Sequence, residues 1–385
     1  MLGYNKERRN NYFHFLEIKK WVKLNWIDEI TFEKINETLR PRYEQTHLFV
    51  GIGLFMLTCI IISAGIGFAA LIFSDIIDSD SIWIPSVLAS LALLFILQKY
   101  VIQEKQQFAS GADEATLYAS LLFFTISFFL LFDNGIDEPL VVFIYYFFLF
   151  GLPAYFYKDR LLTACASFSL YAVVFFTAFK LGGFMTLFIP FLLMGFAAGS
   201  FKFSLNKLAS SDNSASEKCW EVVHWISIAV FYLGGNYLVV MELSTTLDLA
   251  DAFPLFVKII FIILTALIPI GYIYFGLKKR NLALLNIGLI AVTASIMTAR
   301  YYHQVMPIEY ELILGGVILL GIVWFALKYW KEDKMGITIK PDADLDSGLK
   351  IESLVLDQTF GKIEGTSTFS GDGGKFGGGG ASGNF

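Results

Sequence analysis

The chain has 385 residues, of which 56% are hydrophobic and 16% charged, with a formal net charge of −5 and a mean hydropathy of +0.61. Soluble proteins carry about 45–50% apolar and about 25% charged residues, so this chain has too few charges to cover its apolar surface in water. The composition excludes a water-soluble enzyme, a nucleic-acid-binding protein and a disordered chain. It indicates a protein that lies largely in lipid.

The first 47 residues are polar and basic, and they predict a small helical hairpin ahead of the membrane-spanning part. Apolar residues recur at helical spacing over 12–24. A second helix follows, with Asp28 as its N-cap and Pro41 beyond its end. Because so small a hairpin cannot bury a core of its own, we expect it to pack on other loops, on a partner protein or on the membrane surface.

Ten apolar runs follow the hairpin, and a helix of about 20 such residues crosses the hydrocarbon core. None of the runs contains Asp or Glu, and none shows the alternation of barrel strands. The second and third runs are the shortest. We therefore predict an all-α integral membrane protein with about ten transmembrane helices. The predicted spans are 48–73, 82–98, 116–132, 139–157, 161–179, 184–201, 222–241, 254–276, 282–299 and 312–329.

Lysine and arginine are distributed unevenly among the connections between these spans. When the connections are assigned alternately to two sides, one side holds 26 of the 29 Lys and Arg residues. Positive residues accumulate on the cytoplasmic side of membrane proteins, so both termini are predicted to be cytoplasmic, in a multi-pass protein of a bacterial cytoplasmic (inner) membrane. The predicted organisation is a hairpin over 1–47, a ten-span domain over 48–329 and a cytoplasmic tail over 330–385, Gly-rich and disordered at its end.

Two groups of polar residues are candidates for function. Asn236 and Asn286 lie within the seventh and ninth predicted spans, where an amide can hydrogen-bond across helices. Charged residues of both signs lie beside two neighbouring hairpin ends on the outer side. They indicate either a site for a small polar or ionic ligand or solvated loops with snorkelling cations. This outer-face cluster consists of Glu242, Asp248, Asp251, Lys258, Arg300, His303, Glu309 and Glu311.

The sequence contains no recognised motif for catalysis, cofactor binding or metal binding. HExxH, CxxC, GxSxG and P-loop patterns do not occur, the four histidines are isolated from one another, and the three cysteines form no metal-binding pair. We therefore predict no catalytic, cofactor-binding or metal-ligating residue and no cofactor.

The N-terminal region resembles a known family. The stretch FLEIKKWVKLNWIDEITFEKINETL, followed by GIGLFMLTCIIISAGIGFAAL, is similar to the start of a family of predicted bacterial polytopic membrane proteins whose domain has no known function. Members of that family carry a short soluble helical segment ahead of many spans. The resemblance implies the same architecture here and supplies no catalytic residue.

Three interpretations of function stay open. The preferred one is a non-catalytic sensor, scaffold or partner-binding membrane component, whose partners are the lipid bilayer and a protein bound at the N-terminal hairpin. The second is a transporter of small or lipophilic molecules. The third is a membrane enzyme at the outer face, which needs an acid/base pair within hydrogen-bond reach.

Overall fold

The computed structural model of this protein describes residues 3–23, 26–39, 48–73, 81–132, 138–182, 184–210, 214–246 and 254–302, together with 313 and 324. The tenth predicted span at 312–329 and the predicted tail at 330–385 therefore lie outside the described residues, apart from these last two positions.

Regular structure in the described ranges is helical throughout, which confirms the all-α class. The first two helices form the N-terminal hairpin, and the remaining ones are mostly long and apolar. In chain order they are α1 (Lys6–Lys23), α2 (Glu29–Leu39), α3 (Leu48–Phe73), α4 (Trp83–Ile96), α5 (Ala112–Leu131), α6 (Pro139–Tyr157), α7 (Arg160–Leu181), α8 (Phe184–Ala209), α9 (Ser214–Gly235), α10 (Tyr237–Thr246), α11 (Leu255–Lys278) and α12 (Leu282–Tyr302).

Eight described helices are long and apolar enough to cross a membrane, and α9 with α10 forms a ninth candidate that is bent by 72°. They correspond in order to the first nine predicted spans. Large apolar side chains such as Ile60, Leu71 and Ile270 are exposed on their outward faces. Lipid is the solvent in which such exposure carries no cost, so the fold supports a multi-pass membrane protein.

The two short predicted spans are longer in the structure. The second continues beyond residue 98 through a π-helical stretch, Leu97–Glu104, which gives a helix of 22 residues. The third begins at Ala112 rather than at 116 and has 20 residues. The sequence-based boundaries stopped near the first polar side chains, whereas the helices continue past them; Gln98 and Asp113, for example, are hydrogen-bonded.

Neighbouring helices pair along the chain. The pairs are α4 with α5, α6 with α7, α8 with α9, and α11 with α12, while α9 also packs on α7, α11 and α12. This arrangement brings α1, the starts of α5, α7 and α9, and the turn between α11 and α12 to one end of the bundle. We call it the basic end, because the predicted Lys- and Arg-rich connections lie there, and we call the other the outer end.

An aromatic contact joins the two helices of the N-terminal hairpin, and a hydrogen bond caps the second. The rings of Phe15 in α1 and Phe32 in α2 are 5.7 Å apart, and the Asp28 carboxylate accepts a hydrogen bond from the Thr31 backbone amide at 3.4 Å. Helix α1 packs on α9 at the basic end. The hairpin therefore packs on other parts of the same chain, which is one of the three placements expected for it.

Candidate functional site

The outer-face cluster is described in part. Lys258 in the first turn of α11 and Arg300 in the last turn of α12 are both half-buried at the outer end. Glu242, which was expected in a loop, lies in helix α10 and accepts a hydrogen bond from the Tyr301 hydroxyl. The helix continues through Glu242 because its exposed carboxylate stays outside the packed interior. The other members, Asp248, Asp251, His303, Glu309 and Glu311, lie outside the described residues.

The two candidate asparagines have different surroundings. Asn236 separates α9 from α10 and is only 2% exposed. Its amide donates to the Tyr232 hydroxyl at 2.7 Å and to the Thr298 hydroxyl at 3.1 Å, which links α9 to α12. Asn286 is exposed on α12 and lies apart from this network.

A cleft that the sequence did not predict lies at the basic end. It has a volume of about 440 Å³ and is walled by α1 on one side and by the starts of α5, α7 and α9 on the others. Its lining combines aromatic rings with charges of both signs. The charged side chains are Arg9, Asp113, Glu114, Lys158, Asp159, Arg160 and Lys218.

Asp113 is the most enclosed acid of the cleft, with 1% of its surface exposed. Its Oδ1 accepts from the backbone amide and the hydroxyl of Ser110, both at 3.0 Å, and its Oδ2 accepts from the Ala109 amide at 2.9 Å. A buried carboxylate is costly unless donors surround it, and the loop before α5 provides them. Gly111 in this loop has φ +90, and an added Cβ would overlap the carbonyl oxygen of Gly51 in α3.

The N-terminus is fastened to this acid. The Tyr4 hydroxyl donates to Oδ2 of Asp113 at 2.5 Å, and the Gly3 amide donates to Oε1 of Gln98 at 3.0 Å. We call these two hydrogen bonds the N-terminal latch. Burial raises the pKa of Tyr4 well above its usual value, and the charge of Asp113 raises it further, so the phenol keeps its proton at neutral pH.

One face of helix α1 forms the wall of the cleft farthest from the bundle. The ring of Tyr12 lies 5.2 Å from that of Phe108, and the Lys218 ammonium lies 4.0 Å above the ring of Phe13. Arg9, on the same helix, is buried with 4% of its surface exposed and also lines the cleft. The wall is therefore attached both to the loop before α5 and to α9.

Asp159 and Lys158 occupy the tight junction between α6 and α7. The Asp159 carboxylate caps α7 by accepting from the Leu162 amide at 2.8 Å, and it also accepts from the Tyr118 hydroxyl at 2.9 Å. Burial lowers the pKa of Lys158, whose ammonium lies 4.4 Å above the ring of Tyr155. Both charges are thus placed by neighbouring aromatic residues.

Glu114 differs from the other two acids. It lies in the first turn of α5, is half-buried and lines the cleft. Within the described part of the chain, no hydrogen bond or ion pair to its carboxylate is formed. Burial and the neighbouring acids Asp113 and Asp159 disfavour its charged form, and a bound cation would stabilise that form.

Metal binding has no support among the residues that the structure describes, since no group of three or more His, Cys, Asp or Glu side chains comes together. The cleft can instead hold a small molecule with an ammonium group near Glu114 and an acidic group near Lys158 or Arg160. Its aromatic walls lower the local polarity, which strengthens such charge contacts.

In comparisons with known proteins, no protein family, curated protein or solved structure matches the chain. The resemblance of the N-terminal region to a family without known function stays a prediction.

Sequence reasoning missed Tyr4, Asp113, Glu114 and Asp159. The loop assignment did put all four on one side of the membrane, which is a signal in itself. The three carboxylates among them lie beside apolar runs, as ordinary acids at helix starts also do, so that position did not single them out.

Proposed function

We propose that this chain is a non-catalytic membrane sensor that binds a small zwitterionic ligand in the cleft at the basic end. The observation that carries the proposal is the N-terminal latch. Tyr4 and Asp113 both line the cleft and also hold the N-terminus in place. A ligand that alters their contacts changes the position of the N-terminal segment, and the two equilibria are coupled.

The orientation of the bundle in the membrane determines which compartment the cleft faces. We propose ten spans with both termini in the cytoplasm of a bacterial cell, in its inner membrane, because 26 of the 29 Lys and Arg residues fall on the side of the N-terminus. Reporter fusions after Asp137 and after Lys279 test this topology. Opposite compartments support it, and the same compartment for both contradicts it.

The ligand class follows from the charges that line the cleft. Glu114 suits an ammonium group, while Lys158 and Arg160 suit a phosphate or carboxylate. The volume of about 440 Å³ is within the range of small-molecule sites. A phosphoethanolamine group, free or as part of a lipid, has both required charges.

The N-terminal hairpin is the proposed output of the sensor. One face of α1 forms a wall of the cleft, whereas Trp26, between the two helices, and Ile30, in the first turn of α2, are exposed. We propose that a protein partner contacts this exposed part. Deleting residues 1–40 is expected to abolish partner co-purification from mild detergent while the bundle stays folded, and unchanged partners contradict this assignment.

The ligand test uses the full chain in detergent and phosphoethanolamine as the probe. Trypsin cleavage of α1 reports the position of the N-terminal segment. We expect the probe to change the cleavage rate of the wild type and to have no effect on Glu114→Gln. Glu138→Gln is the matched control, since Glu138 lies at the outer end in an ion pair with Lys180.

Two outcomes contradict the proposal. One is a cleavage rate that does not respond to the probe at any concentration up to the millimolar range in which weak ligands bind. The other is an equal response of the wild type and Glu114→Gln. Phosphate alone and ethanolamine alone separate the contributions of the two charges.

A second candidate function is transport, favoured by the break between α9 and α10. Discontinuous helices form the substrate sites of many transporters. At this break the Tyr237 amide donates to the Thr265 hydroxyl at 2.8 Å, beside the network of Asn236. Efflux of rhodamine 6G from reconstituted vesicles that is lost in Asn236→Ala and kept in Asn286→Ala would favour transport. Equal efflux with and without protein would remove it.

A further inference from the structure

A second cleft lies in the bundle near the basic end, on the faces of four helices. It has a volume of about 490 Å³ and lies between α8, α9, α11 and α12. Its lining is mostly apolar, with Phe201, Phe231, Phe275 and Leu284 among the side chains that form its walls. Such a volume is within the range of small-molecule sites, and the walls suit a hydrocarbon chain. We call this cleft the apolar groove.

One end of the apolar groove is polar and basic. Lys279 and Asn281, both in the turn between α11 and α12, line it there. Lys278 and Arg280 flank Lys279 in the sequence, so the turn carries three consecutive cations. The groove is therefore apolar along its walls and positive where it meets the basic end.

The polar end is rigidly built. The Nδ2 atom of Asn281 lies 3.2 Å from Nε2 of His224. The Oδ1 atom of Asn281 accepts a hydrogen bond from the Leu284 backbone amide at 3.2 Å. The His224 ring stacks on Phe201 with 4.6 Å between ring centroids. These contacts fix both a wall and the mouth of the apolar groove before any ligand enters, which lowers the entropy cost of binding.

We infer that the apolar groove binds an anionic phospholipid from the leaflet at the basic end, with an acyl chain against its aromatic walls and the phosphate at Lys279. Charge complementarity favours this occupant over a neutral lipid, because juxtamembrane clusters of Lys and Arg attract anionic headgroups. The inference does not depend on the proposed sensor function, since the two clefts share no lining residue.

The first experiment measures lipid binding by native mass spectrometry of the full chain in detergent, with phosphatidylglycerol and phosphatidylcholine as probes. We expect phosphatidylglycerol to bind more tightly, and Lys279→Ala to weaken it about fivefold, as the loss of one cation at a charged membrane surface does. Lys99→Ala is the matched control, because this lysine lies in the π-helical stretch and does not line the groove.

A groove-filling variant tests the position of the acyl chain. Ala198 lines the groove and is exposed, so Ala198→Trp occupies the space without entering a packed interior. Ala266→Trp adds the same bulk to an exposed position of α11 outside the groove. We expect only Ala198→Trp to reduce phosphatidylglycerol binding. Equal binding of the two lipids, or equal effects of each variant and its control, would overturn the inference.

The second experiment identifies the occupant in native membranes. A photo-crosslinking benzoylphenylalanine at position 198 of the full chain is expected to give an adduct with the mass of an anionic phospholipid. An adduct with another part of the same chain, with a second copy or with a different protein would overturn the inference, since the groove would then be a protein contact.

Discussion

The Tyr4 hydroxyl and the Asp113 carboxylate are 2.5 Å apart in space and 109 residues apart in the chain. Their hydrogen bond joins a segment that precedes the whole bundle to the loop at the start of α5. Since both residues also line the cleft at the basic end, the position of the N-terminus and the shape of the cleft depend on one contact. Removing or titrating this contact is the most direct way to test the site.

The substitution Tyr4→Phe removes the hydroxyl and keeps the ring. Hydrogen bonds to charged groups contribute about 1.5–3 kcal/mol, so the N-terminal segment is expected to detach at least about tenfold more often. Faster trypsin cleavage of α1, with an unchanged thermal unfolding midpoint for the bundle, would record this. Tyr100→Phe, at an exposed position outside the cleft, is the control. Identical cleavage of both variants and the wild type would contradict the role of the latch.

Titration of Tyr4 gives a second test of the same contact. Its folded-state pKa is raised, so its contribution to docking is complete below the unfolded value of about 10 and is lost only as pH rises through the higher folded value. The ionisation of Tyr4 is the difference between the alkaline titrations of the wild type and Tyr4→Phe, each followed by tyrosinate absorbance. We expect this difference to appear well above about pH 10. A difference between the two titrations at or below about pH 10 would be inconsistent with burial of Tyr4 beside Asp113.

Gly111→Ala is expected to destabilise the fold at the start of α5. An alanine there must adopt φ +90, and its Cβ overlaps the backbone oxygen of Gly51. Such strain costs about 1–3 kcal/mol before the clash is added, so the unfolding midpoint in detergent is expected to fall by several degrees. Gly53→Ala serves as the control, because a Cβ at that position of α3 meets open space. A midpoint as high as that of the control would mean that the loop can move away from α3.

Asn236 belongs to a buried hydrogen-bond network, whereas the Asn286 amide is exposed. Asn236→Ala leaves the Tyr232 and Thr298 hydroxyls without the amide that links them, which costs about 1–3 kcal/mol. Asn286→Ala, on the exposed face of α12, is expected to have a much smaller effect. Thermal unfolding of the two variants in the same detergent gives the comparison. A larger loss for Asn286→Ala would show that the packed face of α12 is assigned incorrectly.

Helix position was predictable because hydrophobic length is a local property. The runs at 48–73 and 139–157 coincide with α3 and α6, since each begins and ends where the chain changes from apolar to polar. The run at 222–241 did not reveal its break. The break falls at Asn236, directly after Gly234 and Gly235, where α9 and α11 pack closely: a Cβ at Gly235 would overlap the Ile268 side chain of α11.

The candidate sites were harder to predict than the helices. Charge clusters such as the outer-face group are visible in a sequence because their members stand out within single loops. Asp113 and Asp159 do not stand out, because each resembles an ordinary acid at a helix start until Tyr4 or Tyr118 is brought against it. Such pairing depends on how helices pack, and no local pattern records it.

Composition and the spacing of apolar runs by themselves determined that this is a helical protein of the lipid phase, with its cations gathered on one side. The reason is that the cost of placing a charge or an open backbone amide in hydrocarbon acts on every short segment independently. Only the tertiary structure decided that α1 covers a charged cleft and that the α11–α12 turn closes an apolar groove. Contacts between residues far apart in the chain form only when several helices have packed, so their free energy belongs to the assembled bundle.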